Sequence, residues 1–210
     1  MEKLSSLIAC ALILAIARNP IFTNAGDPDI LKDFLVPPGL NESTITRQYF
    51  TFTNFRYFET KANLTGRTTA FIAKATKKEF PALEGQSVSM AKIIYPPSGI
   101  NPPHTHPRSA KLLIVLEGIL EVGFVDTENR LFLQTLQAND LFIFPKGLVH
   151  FQVNTQPDCK AVALGVFGSA SAGTVSIPAS VFGSGIDVEI LAKAFHTDNQ
   201  TISELVQANK

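Results

Sequence analysis

Cysteine is nearly absent from this chain of 210 residues: Cys10 lies in an N-terminal apolar segment and Cys159 stands alone in the remainder. A disulfide framework is therefore excluded, and stability has to come from a core and from assembly. With no partner and no flanking activating residues, Cys159 is expected to be a buried small hydrophobe. Charge of one sign is also lacking. Eighteen Lys and Arg balance eighteen Asp and Glu, which gives no long-range attraction to nucleic acid or acidic lipid. Beyond the N-terminus no apolar run reaches the roughly 18 residues of a membrane span. Neither a repeat of roughly 20 to 50 residues nor a low-complexity tract is visible, which disfavours solenoids, propellers and disorder. What remains is one globular domain rich in Phe, with 13 Gly and 13 Pro as punctuation.

Residues 1–25 read as a secretory signal peptide: Lys3, the apolar run Leu7 to Ala17, then the small-residue end Thr23-Asn24-Ala25. Its removal leaves sixteen basic and seventeen acidic residues, so the mature chain stays nearly neutral. Secretion gives meaning to three N-glycosylation patterns, at Asn41, Asn63 and Asn199. From Ser87 onward, short runs rich in Val, Ile, Leu and Phe alternate with Gly and Pro. Strands are expected at Ser87–Tyr95, Lys111–Leu116, Ile119–Val125, Leu131–Leu136, Leu141–Phe144, Val149–Val153 and Ala161–Phe167. The class is all-β, a sandwich or barrel. Leu112 to Leu116 is apolar at every position, as a strand covered on both faces would be.

After Pro178 the period becomes helical. Asp187 can cap a helix carrying Val188, Ile190, Leu191, Ala194 and Phe195, and Thr197 or Asp198 can cap a second carrying Ile202, Leu205 and Val206. This tail, over about 178–208, has too little apolar area for its own core. It is expected to pack on the barrel or to serve as an oligomerisation arm. Residues 27–86, with aromatics at Tyr49, Phe50, Phe52, Phe55, Tyr57 and Phe58, read as strands and loops wrapping the barrel.

Three of the four histidines sit beside predicted strands. His104 and His106 are two apart and share a face in an extended segment, which Pro102, Pro103 and Pro107 favour. His150 follows the turn Pro145-Lys146-Gly147 and can face that pair from a neighbouring strand. Three imidazoles at a barrel mouth point to a metal. The competing reading is of histidines satisfied by loop backbone or core contacts.

With Gly118, the segment Gly99 to Lys111 resembles the first motif of plant germins and germin-like proteins in the cupin superfamily. The stretch Asn139 to Asn154, with Pro145, Gly147, His150 and Asn154 in place, resembles the second. Flanks at Gly26 to Asp29 and Asp187 to Phe195 extend the likeness over the mature chain. The resemblance implies a cupin β-barrel or jelly roll over 26–210 with short C-terminal α-helices, and secretion to the apoplast or cell wall. It also implies glycosylation, a role in plant defence, a hexamer built from dimers, and manganese held by three histidines and a glutamate.

The departures from that pattern matter as much. Lys111 stands where the glutamate ligand is expected, placing a cationic group beside a site meant for a divalent ion. Glu117 shares its strand face but lies about 20 Å along, at roughly 3.3 Å per residue. Ser98 and Asn139 replace the first glycine of each motif, and Leu35 replaces the first cysteine of an N-terminal disulfide. Asn101 resembles one of two asparagines on the substrate side of oxalate-oxidising germins, or it only shapes the loop. Ala91 stands where the other is expected, which disfavours oxalate oxidation.

Two functions follow. In the first, His104, His106 and His150 hold manganese, or zinc or copper in its place, with superoxide dismutation as the chemistry. In the second, a non-catalytic cupin has lost its metal, and Lys111 helps an oligomer act as structure or hold a small anion. Nucleotide-sugar hydrolysis comes last, because no phosphate-binding loop supports it.

Overall fold

In this computed structural model, which describes residues 27–209, alternation of inward and outward side chains builds two facing sheets. The strands are β1 (Phe71–Ala75), β2 (Ser89–Tyr95), β3 (Ile100–Thr105), β4 (Lys111–Glu117), β5 (Leu120–Val125), β6 (Leu131–Leu136), β7 (Leu141–Phe144), β8 (Val149–Asn154), β9 (Ala161–Phe167) and β10 (Val175–Ser176). One sheet runs β1-β2-β9-β4-β7 and the other β10-β3-β8-β5-β6, and every ladder is antiparallel. This is the all-β architecture expected from the strand pattern, in the jelly-roll form that the family resemblance implied. The signal peptide expected over residues 1–25 lies outside the described residues.

The core fills the space between the sheets with alternate residues of each strand. Ile93 and Tyr95 of β2, Leu113 and Val115 of β4, Leu120 and Val122 of β5, and Phe144 of β7 are all buried there. Lys111 has the same parity as Leu113 and Val115, so the pleat drives it inward as well. The opposite face of β4 corrects the expectation of a strand covered twice. Leu112 and Leu116 are exposed, as are Leu141 and Ile143 on neighbouring β7. Among the described residues, cover over this sheet is instead confined to the β1–β2–β9 side, where Phe58 packs with Ile94 and Val162.

Phe58 belongs to α1 (Phe58–Lys61), which follows two 3₁₀ turns at Arg47–Phe50 and Asn54–Tyr57. The aromatic stretch is therefore turns and a short helix, with β1 the one strand among residues 27–86. Phe52 meets Phe55 edge-on at 5.1 Å, and Phe58 stacks on Phe71 at 4.7 Å.

The tail contains three helices: α2 (Ile177–Phe182), α3 (Val188–Ala194) and α4 (Asn199–Ala208). Asp187 accepts from the Glu189 and Ile190 amides and Asp198 from that of Thr201, the two expected caps. Helix α2, with Pro178 in its first turn, was not anticipated. Together the helices bury Leu191, Ala192 and Ile202 against Val181, Phe182, Val188 and Val206. The tail thus has a small core of its own, contrary to the expectation, because α2 adds apolar surface that two helices alone would lack. Cys159 corrects a further expectation: it is exposed, because the loop before β9 turns its carbonyl inward to accept from Asn154 at 2.7 Å and leaves the thiol outside.

Candidate metal centre

His104 on β3 stands directly opposite His150 on β8. Asn101 and His104 differ in parity, and a bulge between them lets both side chains face the interior. His106 lies just past the strand, two residues on, and joins them. The three ring centroids are 4.2 to 5.2 Å apart, and one nitrogen from each ring lies within 4.8 Å of the others. All three rings are buried. The turn before His150 is tied to the same place: Gly147, with φ +78°, donates its amide to the His106 carbonyl, and Thr105 Oγ1 donates to the Gly147 carbonyl.

Backbone carbonyls fix the imidazoles. Nδ1 of His104 lies 2.7 Å from the Pro102 carbonyl, that of His150 lies 2.9 Å from the Leu148 carbonyl, and that of His106 pairs with the Gly173 carbonyl. A carbonyl can only accept, so each Nδ1 carries the proton and each Nε2 offers a lone pair. Nε2 of His106 and of His150 are buried and have no hydrogen-bond partner. Such orphaned lone pairs, with the far nitrogen held by backbone, are what a metal requires of histidine ligands. The residues present fit a divalent ion bound through nitrogen alone.

The Gly173 carbonyl sits in a loop pinned from the start of the described chain. Asp27 accepts from Ser169 Oγ and the Ala170 amide, each at 2.6 Å. Sequence reasoning placed Asp27 only in a flank motif, since a contact across 142 residues leaves no local trace.

Lys111 is 2% exposed, with its Nζ 3.1 Å from Gln152 Oε1 and 5.3 Å from the centre of the Phe144 ring. Its stem passes β9 at Gly165, where a Cβ would come within 2.9 Å of Lys111 Cε. No carboxylate pairs with it among the described residues. Burial pushes the ammonium down to about 7. Desolvation, with the Lys111 cation adding to it, pulls His104 down to about 3. Desolvation also lowers His106 to about 4, and it lowers His150 too. The rings are therefore neutral at physiological pH, as ligands must be. Glu117, at the far end of β4, is exposed and paired with Lys160 at 2.9 Å.

Asn101 is buried, and its Nδ2 donates to Gln152 Oε1 at 2.8 Å. Gln152 was missed, although it shares the parity of His150 and Asn154 along β8. A cavity of about 320 Å³ reaches His104, His106, Lys111, Asn101 and Ala91. Lys74 and Lys78 also line it, both exposed. The three glycosylation candidates are exposed and lie away from this cavity.

Residues 57–203 match the cupin family. This chain is a germin-like member of that family. It is 51% identical to germin-like protein 9-3 of Oryza sativa subsp. japonica over 207 residues, 96% of this chain and 95% of the relative. Over 183 residues it is 54% identical to the putative germin-like protein 9-2 of the same organism, 86% of this chain and 84% of the relative. Among solved structures, recombinant oxalate oxidase in complex with glycolate superposes with a TM-score of 0.80 at 26% identity, covering 88% of this chain and 98% of that one. In the germin-like chain, Ser98 and Asn139, the two residues in place of motif glycines, have φ of 55° and 77°. Both positions demand the left-handed conformation that glycine adopts most freely.

Proposed function

We propose that this germin-like protein is a secreted metal-binding protein of the apoplast or cell wall, active in defence, whose ion is held by His104, His106 and His150. The observation that carries the reading is the pair of buried, unpartnered Nε2 atoms on His106 and His150, aimed by backbone carbonyls on the opposite ring nitrogens. A redox-active ion held by His104, His106 and His150 would supply one-electron exchange with superoxide, the chemistry we favour. The carbonyls of Pro102, Gly173 and Leu148 hold the ring tautomers. Phe144 and Phe167, at 4.5 and 4.6 Å from the His150 and His106 rings, exclude water from one side. Lys74 and Lys78 at the cavity mouth draw in anions.

An all-nitrogen ligand set suits zinc or copper better than manganese, which prefers oxygen. Oxalate oxidation is not part of this reading, because Ala91 offers the cavity only a methyl group. Elemental analysis of protein purified from a secretory plant host tests the proposal. Near-stoichiometric manganese or copper, lost on His150→Ala, supports it; a protein carrying only zinc contradicts the redox reading, and one carrying no metal contradicts the metal site.

A second reading rests on Lys111, a buried cation with no acid beside it: a metal-free pocket for a small anion. Organic acids that raise the melting temperature of metal-stripped protein, but not of Lys111→Met, would favour it. We also propose a homo-oligomer. Leu112, Leu116, Leu141 and Ile143 on one sheet, and Ile190 and Phe195 on the tail, are exposed apolar side chains that subunit contacts would cover. Light scattering should give a mass several times the 22.8 kDa of the full chain.

A further inference from the structure

Among the described residues, Lys111 is the one buried side chain of lysine, arginine, aspartate or glutamate. Its surroundings are incomplete in a specific way. Tyr95 Oη, Asn101 Nδ2 and Lys111 Nζ all donate to Gln152 Oε1, at 3.2, 2.8 and 3.1 Å. Three donors on one oxygen fix the orientation of the amide, and Gln152 Nε2 is left buried without an acceptor. In the same interior, His106 and His150 present unpartnered lone pairs suited to a cation. An amide donor lacks an acceptor, an ion on the imidazoles would lack an anionic ligand, and the lysine lacks an acid. A buried polar group without a partner keeps its full desolvation cost.

We propose that Lys111 is a carbamylation site, at which dissolved carbon dioxide converts the amine into a carbamate that completes the ligand set of the three histidines. The lone pair of the neutral Nζ forms a bond to the carbon of CO2, one C=O π pair moves onto oxygen, and one N–H proton leaves to water. Amine plus CO2 gives carbamate plus H⁺, with no oxidant or reductant. The remaining N–H still donates to Gln152 Oε1. The new oxygens supply what is missing: an acceptor for Gln152 Nε2 and a negative charge for an ion on the imidazoles. The cavity of about 320 Å³ reaches Lys111, His104 and His106 together, giving CO2 both a route and room. An oxygen anion added to three nitrogens also shifts the site toward harder cations such as Mn²⁺. The completion of a ligand set rests on the metal reading above, whereas the chemistry at Nζ does not.

The test uses the intact secreted protein, equilibrated with ¹³C-bicarbonate, with and without Zn²⁺, and followed by ¹³C NMR. One carbamate resonance is expected, absent from Lys111→Met and Lys111→Arg. Removing CO2 should weaken Zn²⁺ binding roughly tenfold or more, while Lys111→Glu should bind equally well in either atmosphere. A wild-type protein that holds Zn²⁺ but shows no carbamate resonance, or one whose resonance survives in Lys111→Met, overturns the proposal and leaves the metal site standing. A resonance without Zn²⁺ binding supports carbamylation and removes the metal reading. Should the Lys111 variants fail to fold, the wild-type comparison with and without CO2 decides alone.

Discussion

Strand β4 carries a charge at each end, and the two ends live under different physics. Glu117 lies in solvent, 2.9 Å from Lys160, which also reaches Glu59 at 3.3 Å. Such pairs gain little, because water already solvates both partners. Lys111, six residues earlier, points inward, whereas a bulge between Val115 and Glu117 turns Glu117 to the outer face. Lys111 is 2% exposed, has no acid partner, and loses its proton at about 7. Between them Leu113 and Val115 are fully buried. One strand thus joins the end of the barrel that holds the buried histidines and Lys111 to a solvated end through a dry middle. A charge matters in this protein according to its depth along β4.

That contrast is open to experiment. The largest effect is expected at the polar end: His150→Ala should abolish retention of metal through gel filtration, read by elemental analysis, whereas Glu117→Gln should leave metal content unchanged. In the dry middle, Leu113→Ala should cost about 2 to 5 kcal/mol in denaturant unfolding, with the metal site intact while the protein stays folded.

The third expectation is a slope with pH in the metal-free protein. Lys111 binds its proton more weakly folded than unfolded, so the unfolded chain holds more protons between about 7 and the ordinary lysine value of 10.5. Stability therefore rises with pH across that window, by roughly 1.4 kcal/mol per pH unit for each proton of difference. His104 and His106 stay neutral down to about 3 and 4, against an ordinary 6.5. Stability consequently falls as pH drops below 6.5. Urea titrations from pH 5 to 10 measure both limbs, and Lys111→Met should flatten the alkaline limb while keeping the acid one. The smallest effect is Glu117→Gln on stability, under about 1 kcal/mol.

How legible each feature was depended on the range of the contacts that define it. The strands could be read because a short run of Val, Ile, Leu and Phe between turn residues is a local signal: Leu131–Leu136, Leu141–Phe144 and Ala161–Phe167 agree residue for residue. His104, His106 and His150 could be grouped because two-residue spacing and a proline-glycine turn are local as well. The bulge that turns Asn101 inward, the Gly173 carbonyl behind His106 and the Asp27 pin on its loop depend on distant segments, and nothing adjacent in the chain announces them. Gly165 is the same kind of case. Within β9 it makes room for the stem of Lys111 on the neighbouring strand. The outer face of β4 misled for a related reason, since an apolar row has the same composition whether a helix, another subunit or solvent lies against it.

The metal centre depends on three neutral imidazoles whose protons sit on Nδ1 and whose Nε2 lone pairs are left for an ion. Long-range ¹H–¹⁵N NMR of the metal-free protein reads tautomer and charge ring by ring. The result expected is three neutral Nδ1–H rings between pH 5 and 8, with a fourth, exposed histidine, His196, serving as the internal reference. Nε2–H tautomers, or imidazolium signals from His104, His106 or His150 at pH 6, would contradict it.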